Sequence, residues 1–318
     1  MNEKTAIVLL NLGGPDNLEA VQPFLENLFS DPDIFNILVF QKLIAKLISK
    51  SRSPKVRKEY KLIGGSSPIN LWTEKQRSLL EKTLKQGFED VDVFTAMRYW
   101  HPLIKDVARQ ISEKRYKKII LLPLYPQYSF STTGSSFNEW KRVFNSAGVE
   151  QIFIKNFYQN KFYVHALNQR IDEALLKFPD DVRNSVQFLF SAHGIPLSFV
   201  KKGDPYPDQI RETIRLVMQA RHNSHEHHES FQSKVGPVKW LEPSTKGKIR
   251  ELISTGKKNL LIVPISFVSD HIETLYELDI EYRHIAEEAG VENYFVMTGL
   301  NDSDLFILAL KEEICERL

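Results

Sequence analysis

Residues 117–124 read KKIILLPL, and residues 257–265 read KKNLLIVPI. Each stretch opens on two lysines, continues as an apolar run, and ends with a proline followed by one apolar residue. An apolar run of this length is typical of a strand that helices cover on both faces of a parallel sheet. Because the run occurs once in each half of the chain, the sequence indicates an internal duplication.

Other short apolar runs alternate with longer helical patterns along the whole chain. The predicted strands are residues 6–12, 91–97, 118–124 and 151–156 in the first half, and 186–192, 231–235, 259–267 and 294–298 in the second. Apolar residues at helical spacing predict helices between them, at 73–86, 161–177 and 208–221 among others. This alternation predicts an α/β fold with four parallel strands in each half and right-handed crossovers.

The starts of the two halves are also alike. Residues 9–15 (LLNLGGP) parallel residues 189–196 (LFSAHGIP). We therefore predict two similar α/β domains, at residues 1–160 and 161–318, which pack tightly because no low-complexity linker separates them. Ligands of open α/β sheets bind at the carboxyl ends of the strands, and a cleft between two domains is a favoured pocket.

The composition is that of an ordinary soluble protein, with 318 residues, 42% hydrophobic, 26% charged, and a formal net charge of +2. A charge this close to zero argues against a nucleic-acid partner. The single cysteine, Cys315, excludes a disulfide framework, a cysteine-ligated zinc site and an iron–sulfur cluster within one chain. No signal peptide or membrane-spanning run is visible, so we expect a cytoplasmic protein.

A histidine follows the first predicted strand of the second half. Residues 191–194 read SAHG, which places the imidazole of His193 at the carboxyl end of a buried strand, before a glycine that permits a tight turn. Histidine changes charge near neutral pH and is a common metal ligand. On position alone, a functional imidazole and a structural histidine with satisfied hydrogen bonds both stay open.

A row of carboxylates follows the strand at 259–267. Residues 269–281 read SDHIETLYELDIE and have a helical pattern, in which three glutamates stack on one face: Glu273, Glu277 and Glu281. Such a row suits a hard or borderline cation. The alternative is that Asp270 and Glu273 form a helix capping box and that the later glutamates are a solvated face. Pairing with His193 favours a site, because both segments lie at strand ends of one domain.

An amphipathic basic helix is predicted from Ile34 to Lys50. Its apolar residues recur at helical spacing, its lysines form one stripe, and further basic residues follow it. Such a helix lies on an anionic membrane surface or forms an apolar lip for an anionic ligand. The alternative is a core helix with a solvated lysine face.

Three polar stretches carry weaker signals. Residues 64–68 and 125–136 are rich in glycine and hydroxyls, and either bind carboxylates or phosphates or are structural turns. Neither has the pattern of a nucleotide-binding loop. Four of the nine histidines lie from His222 to His228, between a predicted helix and a predicted strand. We interpret this tract as a surface loop without a rigid frame, which binds metal only adventitiously.

Several sequence elements together resemble the ferrochelatases, the enzymes that insert ferrous iron into a porphyrin. The elements run in order from residue 9 to residue 301 and cover nearly the whole chain. They are LLNLGGP at 9–15, YPQYS at 125–129 with STTGSS at 131–136, FSAHG at 190–194, GDPYP at 203–207, QSKVGP at 232–237 with WL at 240–241, and SDHIETLYELDIEY at 269–282. Any one element is suggestive, and all of them in order are specific.

The resemblance implies two Rossmann-like domains of the chelatase type, with protoporphyrin IX in the cleft and Fe²⁺ as the second substrate. It places catalysis on His193, Glu273 and His271, with His193 and Glu273 as metal ligands. Asp270, Glu277 and Glu281 then form a path for metal and protons. The implied porphyrin-contacting residues are Leu12, Arg52, Lys55, Tyr60, Ser67, Arg98, Tyr99, Tyr125 and Trp240. Whether His193 acts as base, as ligand or as both stays open.

One departure from the family pattern bears on cofactors. Some members carry a [2Fe–2S] cluster, with one cysteine just after the YPQYS element and three in a C-terminal extension. Here that position is Phe130, and Cys315 is the only cysteine. We expect no cluster and no permanently bound cofactor. Without the extension a monomer is the expected state, with at most peripheral membrane contact through the helix from Ile34 to Lys50.

Two other functions compete with this interpretation. The first is a chelatase that loads cobalt or nickel, or that uses coproporphyrin, because sites of nitrogen and oxygen ligands bind several divalent ions. The second is a non-catalytic porphyrin-binding protein on the same fold, since a fold does not fix a function. Such a protein needs neither His193 nor Glu273, and both are present.

Overall fold

The computed structural model describes residues 4–35, 40–114, 116–145, 148–234, 236 and 238–318. The chain divides into two compact units. The first runs to Phe157 and includes Ile307–Leu318, and the second is Tyr158–Phe306. The predicted boundary at residue 160 lies close to this division. The last residues differ from the prediction, because the sequence analysis assigned them to the second domain and their contacts group them with the first.

The first unit contains a four-stranded parallel sheet in the order β2-β1-β3-β4. Its strands are β1 (Thr5–Asn11), β2 (Val91–Met97), β3 (Lys118–Pro123) and β4 (Glu150–Phe153). Its helices are α1 (Val21–Phe29), α2 (Gln41–Leu62), α3 (Ile69–Leu84), α4 (Ile104–Glu113) and α5 (Ser135–Val143), with a π-helix at Phe130–Gly134.

The second unit repeats this arrangement, with strand order β6-β5-β7-β8. Its strands are β5 (Gln187–His193), β6 (His227–Gln232), β7 (Asn259–Pro264) and β8 (Asn293–Val296). Its helices are α6 (Lys161–Leu175), α7 (Leu197–Lys201), α8 (Tyr206–Ala220), α9 (Thr245–Ser254) and α10 (Tyr282–Glu288), with a 3₁₀ turn at Arg183–Ser185 and a π-helix at Glu273–Glu281. The last helix, α11 (Asp304–Cys315), begins in this unit and continues in the first.

The apolar runs form the two central strands of each sheet, as their composition predicts. Every residue of β1 is buried, and so are all but the first residues of β3 and β7. Strands buried on both faces suit parallel sheets covered by helices. All the pairings in both sheets are parallel. The α/β fold and the internal duplication are therefore confirmed.

The edge strand β6 begins earlier than predicted. The prediction started at Phe231, whereas the strand starts at His227 and includes both His227 and His228. An edge strand has a partner on one side only and tolerates polar residues. The first half of β6 is polar, so it does not show the apolar pattern on which the prediction was based. The imidazole of His225 stacks on Phe188, with ring centroids 4.4 Å apart. The loop interpretation is wrong for His227 and His228, whereas residues 222–226 form a loop in which the His225 ring is held against Phe188.

Strand order decides where a site can form in the second unit. Within the sheet, β6 lies on one side of β5 and β7 lies on the other side. The carboxyl ends of β5 and β7 therefore flank a topological switch point, which is where open α/β sheets bind ligands. His193 is the last residue of β5, and the acidic row follows β7.

Helix α2 covers only part of the amphipathic helix that was predicted from Ile34 to Lys50. It begins at Gln41, and residues 36–39 of the prediction lie outside the described residues. The helix packs its small residues Ala45, Ser49 and Ser53 inward. Leu43 and Leu47 are 56% and 61% exposed, so the core-helix alternative is wrong for them. No helix among the described residues is both long and apolar enough to cross a bilayer.

Candidate active site

The centre of the candidate site is a hydrogen-bonded pair of His193 and Glu273. The imidazole Nδ1 lies 2.8 Å from Glu273 Oε2. The backbone N–H of His193 donates to Ser266 Oγ at 3.0 Å, which fixes the end of β5 against the loop that follows β7. The His193 side chain is 37% exposed and that of Glu273 is 20% exposed. Both groups are therefore held in place and still open to a ligand.

The hydrogen bond at Nδ1 decides which nitrogen of His193 is left to accept a proton or bind a metal. A carboxylate only accepts hydrogen bonds, so Nδ1 carries the hydrogen, and in the neutral imidazole the lone pair lies on Nε2. Burial disfavours the imidazolium, but the Glu273 carboxylate outweighs it, and the pKa of His193 lies above its ordinary value. Burial likewise disfavours the Glu273 carboxylate, but His193 outweighs it, and the pKa of Glu273 lies below its ordinary value. Both shifts favour the ion pair.

Gly194 is required here by close packing. A Cβ on this residue would lie 2.8 Å from the carbonyl oxygen of Gln232 and 3.4 Å from the Trp240 ring. Its own N–H donates to that same carbonyl at 2.9 Å. The absence of a side chain therefore lets the end of β5 approach β6 closely.

The acidic segment is a π-helix over Glu273–Glu281. The N–H of Tyr282 donates to the carbonyl of Glu277, five residues earlier, which is the π-helical pattern. The capping-box alternative is wrong, because the Glu273 carboxylate does not turn back to the helix start. Its Oε2 instead accepts from Gln232 Nε2 at 3.3 Å and from Ser233 Oγ at 3.2 Å, in addition to His193.

Ser233 joins the first two glutamates of the row. Its hydroxyl contacts both Glu273 Oε2 and Glu277 Oε2, and its N–H donates to Glu277 Oε1 at 3.0 Å. Tyr282 adds a hydrogen bond from its hydroxyl to Glu277 Oε1. Burial and the neighbouring Glu273 charge raise the pKa of Glu277. Ser233 has a left-handed backbone, with φ of 62°, which is unfavourable for a residue with a side chain.

The third glutamate, Glu281, has a cationic partner. Lys246 Nζ lies 2.6 Å from Glu281 Oε1, and both side chains are partly exposed. The three glutamates therefore differ in their surroundings. Glu273 faces an imidazole, Glu277 faces hydroxyls, and Glu281 faces an ammonium.

His271 and Asp270 are buried beside the pair. His271 Nδ1 lies 3.1 Å from the carbonyl oxygen of Ser269, so this nitrogen is the donor. Burial lowers the pKa of His271, which favours the neutral ring. Asp270 holds the loop in place, since its carboxylate accepts from Gly299 N, Thr274 Oγ1 and Asn301 Nδ2. These bonds make Asp270 an anchor for the start of the π-helix.

Comparisons with known proteins show which family the chain belongs to. The family model for ferrochelatase matches residues 4–318. The chain belongs to the ferrochelatase family. A ferrochelatase of Geotalea uraniireducens is 49% identical over 311 residues, covering 96% of each chain. One from Geotalea daltonii is 47% identical over 98% of this chain and 97% of its own, and one from Aquifex aeolicus is 46% identical over 97% and 98%.

Two solved structures share the fold at low sequence identity. SirB from Bacillus subtilis with Fe³⁺ has a TM-score of 0.58 and 14% identity, and covers 98% of this chain and 95% of its own. CbiX, the terminal enzyme for biosynthesis of sirohaem in denitrifying bacteria, has a TM-score of 0.52 and 12% identity, with 99% of each chain covered. These likenesses support the chelatase-type fold.

Arg98 and Tyr99, which the resemblance predicts to contact porphyrin, belong to a buried hydrogen-bond network in the first unit. Arg98 Nη2 lies 3.0 Å from Asp31 Oδ1, and the Tyr99 hydroxyl lies 2.5 Å from Asp31 Oδ2. Ser135 Oγ contacts the same carboxylate at 2.5 Å and accepts from Arg98 Nε at 2.8 Å. Tyr99 is 1% exposed. In this structure the two side chains support the fold around them, and contact of either with porphyrin stays a prediction.

The other implied porphyrin-contacting residues fall into three groups by exposure. Arg52 and Lys55 are exposed on α2, where Arg52 lies over the Phe29 ring at 5.6 Å and Lys55 is 3.7 Å from Glu59. Tyr60 and Ser67 are buried, and three residues are half-buried: Leu12, Tyr125 and Trp240. Burial raises the pKa of Tyr125, which keeps its hydroxyl protonated.

The sequence analysis missed the residues that connect the site. Ser233 lies in a quoted family element, but no role was assigned to it because its two glutamate partners come from a distant part of the chain. Tyr282 was quoted in a family element without a role, and Ser266, Lys246 and Asp31 were not considered. The repeated helical spacing of the glutamates pointed to the row, but the partners of a carboxylate come from other elements and leave no local pattern.

Proposed function

We propose that this protein inserts Fe²⁺ into protoporphyrin IX, forming protohaem and releasing two protons, as the last step of haem biosynthesis. The observation that carries the proposal is the bond between His193 Nδ1 and Glu273 Oε2 at the carboxyl ends of two strands that flank the switch point. The family supports the reaction, and the geometry of this pair supports a role for His193 and Glu273 in it.

The reaction needs a base near the centre of the macrocycle. Free porphyrin carries two pyrrole N–H protons, and both must leave as the metal enters. In its neutral form His193 offers the lone pair of Nε2, while Glu273 holds the opposite nitrogen and stabilises the imidazolium that forms. The raised pKa of His193 makes it a stronger base, and the same Nε2 is the ligand atom that Fe²⁺ would meet.

Protons leave the pair along the acidic row in this proposal. Ser233 touches both Glu273 and Glu277, so one hydroxyl connects the two carboxylates. The pKa of Glu277 is raised and that of Glu273 is lowered, so Glu277 is the stronger proton acceptor of the two carboxylates. Glu281 continues the row, and neutral His271 supplies a second imidazole. In this proposal the metal is a substrate that the row passes on to the porphyrin.

Three further properties belong to the same proposal. Exposed Arg52 and Lys55 provide positive charge for the propionates of the porphyrin. With Cys315 as the only thiol, the chain cannot supply the four thiolates of a [2Fe–2S] cluster. The protein acts without a permanently bound cofactor, as a monomer in the cytoplasm.

Metal insertion by the purified protein tests the proposal. Protoporphyrin IX is mixed anaerobically with Fe²⁺, or with Zn²⁺ as a substitute, and the porphyrin absorbance is followed. Coproporphyrin with Fe²⁺, and protoporphyrin with Co²⁺ or Ni²⁺, are run in parallel. Faster turnover of protoporphyrin with Fe²⁺ supports the proposal, whereas faster turnover of another pair corrects the substrate. Tight porphyrin binding with no turnover for any metal overturns it in favour of a binding protein.

The pKa of His193 is expected to fall when Glu273 loses its charge. Glu273→Gln removes the carboxylate that raises this pKa and leaves burial, which lowers it. In the wild type the raised pKa means that the pair stabilises the fold below the histidine's unfolded pKa and loses this contribution as pH rises through the folded pKa. NMR titration of the imidazole signals measures the shift, with His193→Gln used to assign the resonance.

Glu281→Gln is the matched control for this titration, because it removes the same charge at the outer end of the row. It should move the His193 pKa less than Glu273→Gln does. An unchanged His193 titration in Glu273→Gln would contradict the pairing on which the mechanism depends.

Helix α2 is expected to hold the protein at an anionic membrane surface. Phe40, Leu43 and Leu47 are 73%, 56% and 61% exposed, and exposed lysines accompany them. The proposed porphyrin substrate is apolar, and a basic amphipathic helix binds anionic lipid through both charge and apolar burial. Leu43→Glu with Leu47→Glu should weaken sedimentation with phosphatidylglycerol vesicles about tenfold or more, since burying each leucine contributes about 1.5–3 kcal/mol.

Two other exposed leucines provide the control for the vesicle experiment. Leu71 and Leu176 are 67% and 71% exposed and lie outside α2. Glutamate at both positions changes charge and exposed apolar area to a similar extent and should leave vesicle binding unchanged. Failure of the wild type to sediment with the vesicles would remove the membrane contact from the proposal.

A further inference from the structure

Lys246 is fixed beside the outer end of the acidic row. It lies in the first turn of α9, whose N-cap Ser244 accepts from Gly247 N at 3.3 Å. The preceding Thr245 is fully buried, and its hydroxyl lies 2.9 Å from Ser191 Oγ and 3.0 Å from Ser230 Oγ. The backbone at Lys246 is therefore anchored to the central strand β5 and to the edge strand β6 of the second sheet.

The Lys246 ammonium contacts two members of the outer site. Nζ lies 2.6 Å from Glu281 Oε1 and 5.1 Å from the centre of the Tyr282 ring. Tyr282 in turn donates its hydroxyl to Glu277. The Lys246 ammonium therefore already occupies the solvent-exposed end of the carboxylate row.

We propose that Lys246 sets the affinity of the acidic row for the metal substrate, by occupying Glu281 with its ammonium until a divalent cation displaces it. The proposal rests on the proposed function, in which the row conducts the metal. Lys246 is a positioning residue here, since it acts through Glu281 and does not touch the reacting atoms.

The exposure of the ion pair allows the displacement. Lys246 is 42% exposed and Glu281 is 38% exposed. An ion pair this exposed is weak because water and salt screen it, so a divalent cation competes with it readily. The same exposure limits the size of the effect, and removing the ammonium should strengthen cation binding by about two- to fivefold.

Lys246→Met tests the proposal, because methionine keeps the apolar stem and removes the charge. The probe is Mn²⁺ added to the full-length protein without porphyrin, with the free ion measured by its EPR signal. Mn²⁺ prefers oxygen ligands, so the exposed histidines contribute little. The expected result is Mn²⁺ binding about two- to fivefold tighter, with a similar fall in the KM for Zn²⁺ during porphyrin metallation and an unchanged kcat.

Three variants make the result specific. Lys248→Met removes the same charge from the same helix, but Lys248 pairs with Glu251 and not with the row, so binding should not change. Lys246→Arg restores the cation and should restore wild-type binding. In a Glu281→Gln background, Lys246→Met should have no effect, since the pair is already broken.

The outcomes separate this proposal from the proposed function. Equal Mn²⁺ affinity in Lys246→Met and Lys248→Met, or weaker binding in Lys246→Met, overturns the role of Lys246. A persistent effect of Lys246→Met in the Glu281→Gln background also overturns it. Absence of porphyrin metallation by the wild type removes the proposed function, and it leaves the Mn²⁺ measurement interpretable.

Discussion

Replacement of His193 by alanine is expected to lower kcat for iron insertion about a hundred- to ten-thousandfold, the usual contribution of a positioned general base. The imidazole is held by Glu273 at Nδ1, so that Nε2 is the atom left for a pyrrole proton or for the metal. Alanine removes that atom and leaves the Glu273 carboxylate with only the weaker donors Gln232 and Ser233. The measurement is anaerobic single-turnover insertion of Fe²⁺ into protoporphyrin IX.

Glu273→Gln should also reduce kcat, but by less than His193→Ala does, if the main role of Glu273 is to orient the imidazole and to stabilise the imidazolium. The glutamine still offers an oxygen to Nδ1 but no longer stabilises the imidazolium. His284→Ala serves as the control, because His284 is exposed on α10 in the same unit and pairs with Glu288. This variant should retain wild-type turnover.

Added imidazole separates a missing base from a damaged fold. If His193 acts as the base, millimolar free imidazole should restore part of the rate of His193→Ala, and the restored rate should rise with pH as the neutral form accumulates. Full turnover by His193→Ala without added imidazole would place the chemistry elsewhere. Circular dichroism of each variant checks that the second unit has kept its secondary structure.

The parallel sheets could be predicted because their central strands are buried on both faces. Burial on both faces leaves an apolar run, as at 117–124, and the run needs no information about distant residues. The same reasoning failed for β6, where an edge position allowed His227 and His228 into the strand. Residues 36–39 of the predicted amphipathic helix lie outside the described residues, and Leu43 and Leu47 are exposed on α2.

The candidate site could be predicted as a set of residues but not as a network. His193 and the acidic segment both follow predicted strands of one domain, which was enough to place them together. The choice of Glu273 within the segment came from the family resemblance. The π-helix was not predicted, because its residues fit an α-helix equally well. Ser233 and Lys246 were missed because their importance comes from distances of about 3 Å across elements, which no spacing along the chain encodes.

Asp31→Ala is expected to destabilise the first unit by about 3 kcal/mol, because it takes the closer of two carboxylate partners away from the buried Arg98 guanidinium. The Asp31 side chain is fully buried, and the Arg98 side chain is 10% exposed. Tyr99 and Ser135 also lose the carboxylate oxygen that both contact at 2.5 Å. Glu139 also pairs with Arg98, but at 3.8 Å it is more distant than Asp31 and replaces it only in part.

Urea unfolding followed by tryptophan fluorescence measures this loss. Trp72, Trp100 and Trp140 lie in the first unit, and Trp240 lies in the second. A Trp240→Phe background therefore restricts the signal to the first unit, which matters because two units need not unfold together. Glu74→Ala is the control. Glu74 is 55% exposed and pairs with Arg77, so its loss should cost less than about 1 kcal/mol.

The double variant Asp31→Ala with Arg98→Met decides whether the unpaired charge is the cause. If the penalty comes from a buried guanidinium without a counterion, removing the guanidinium as well should recover part of the stability, since apolar replacement of a whole buried pair is often close to neutral. A double variant as unstable as the sum of the two single variants would instead assign the loss to packing and to the hydroxyls. Arg98 and Tyr99 would then support the fold through contacts other than the charge of Asp31.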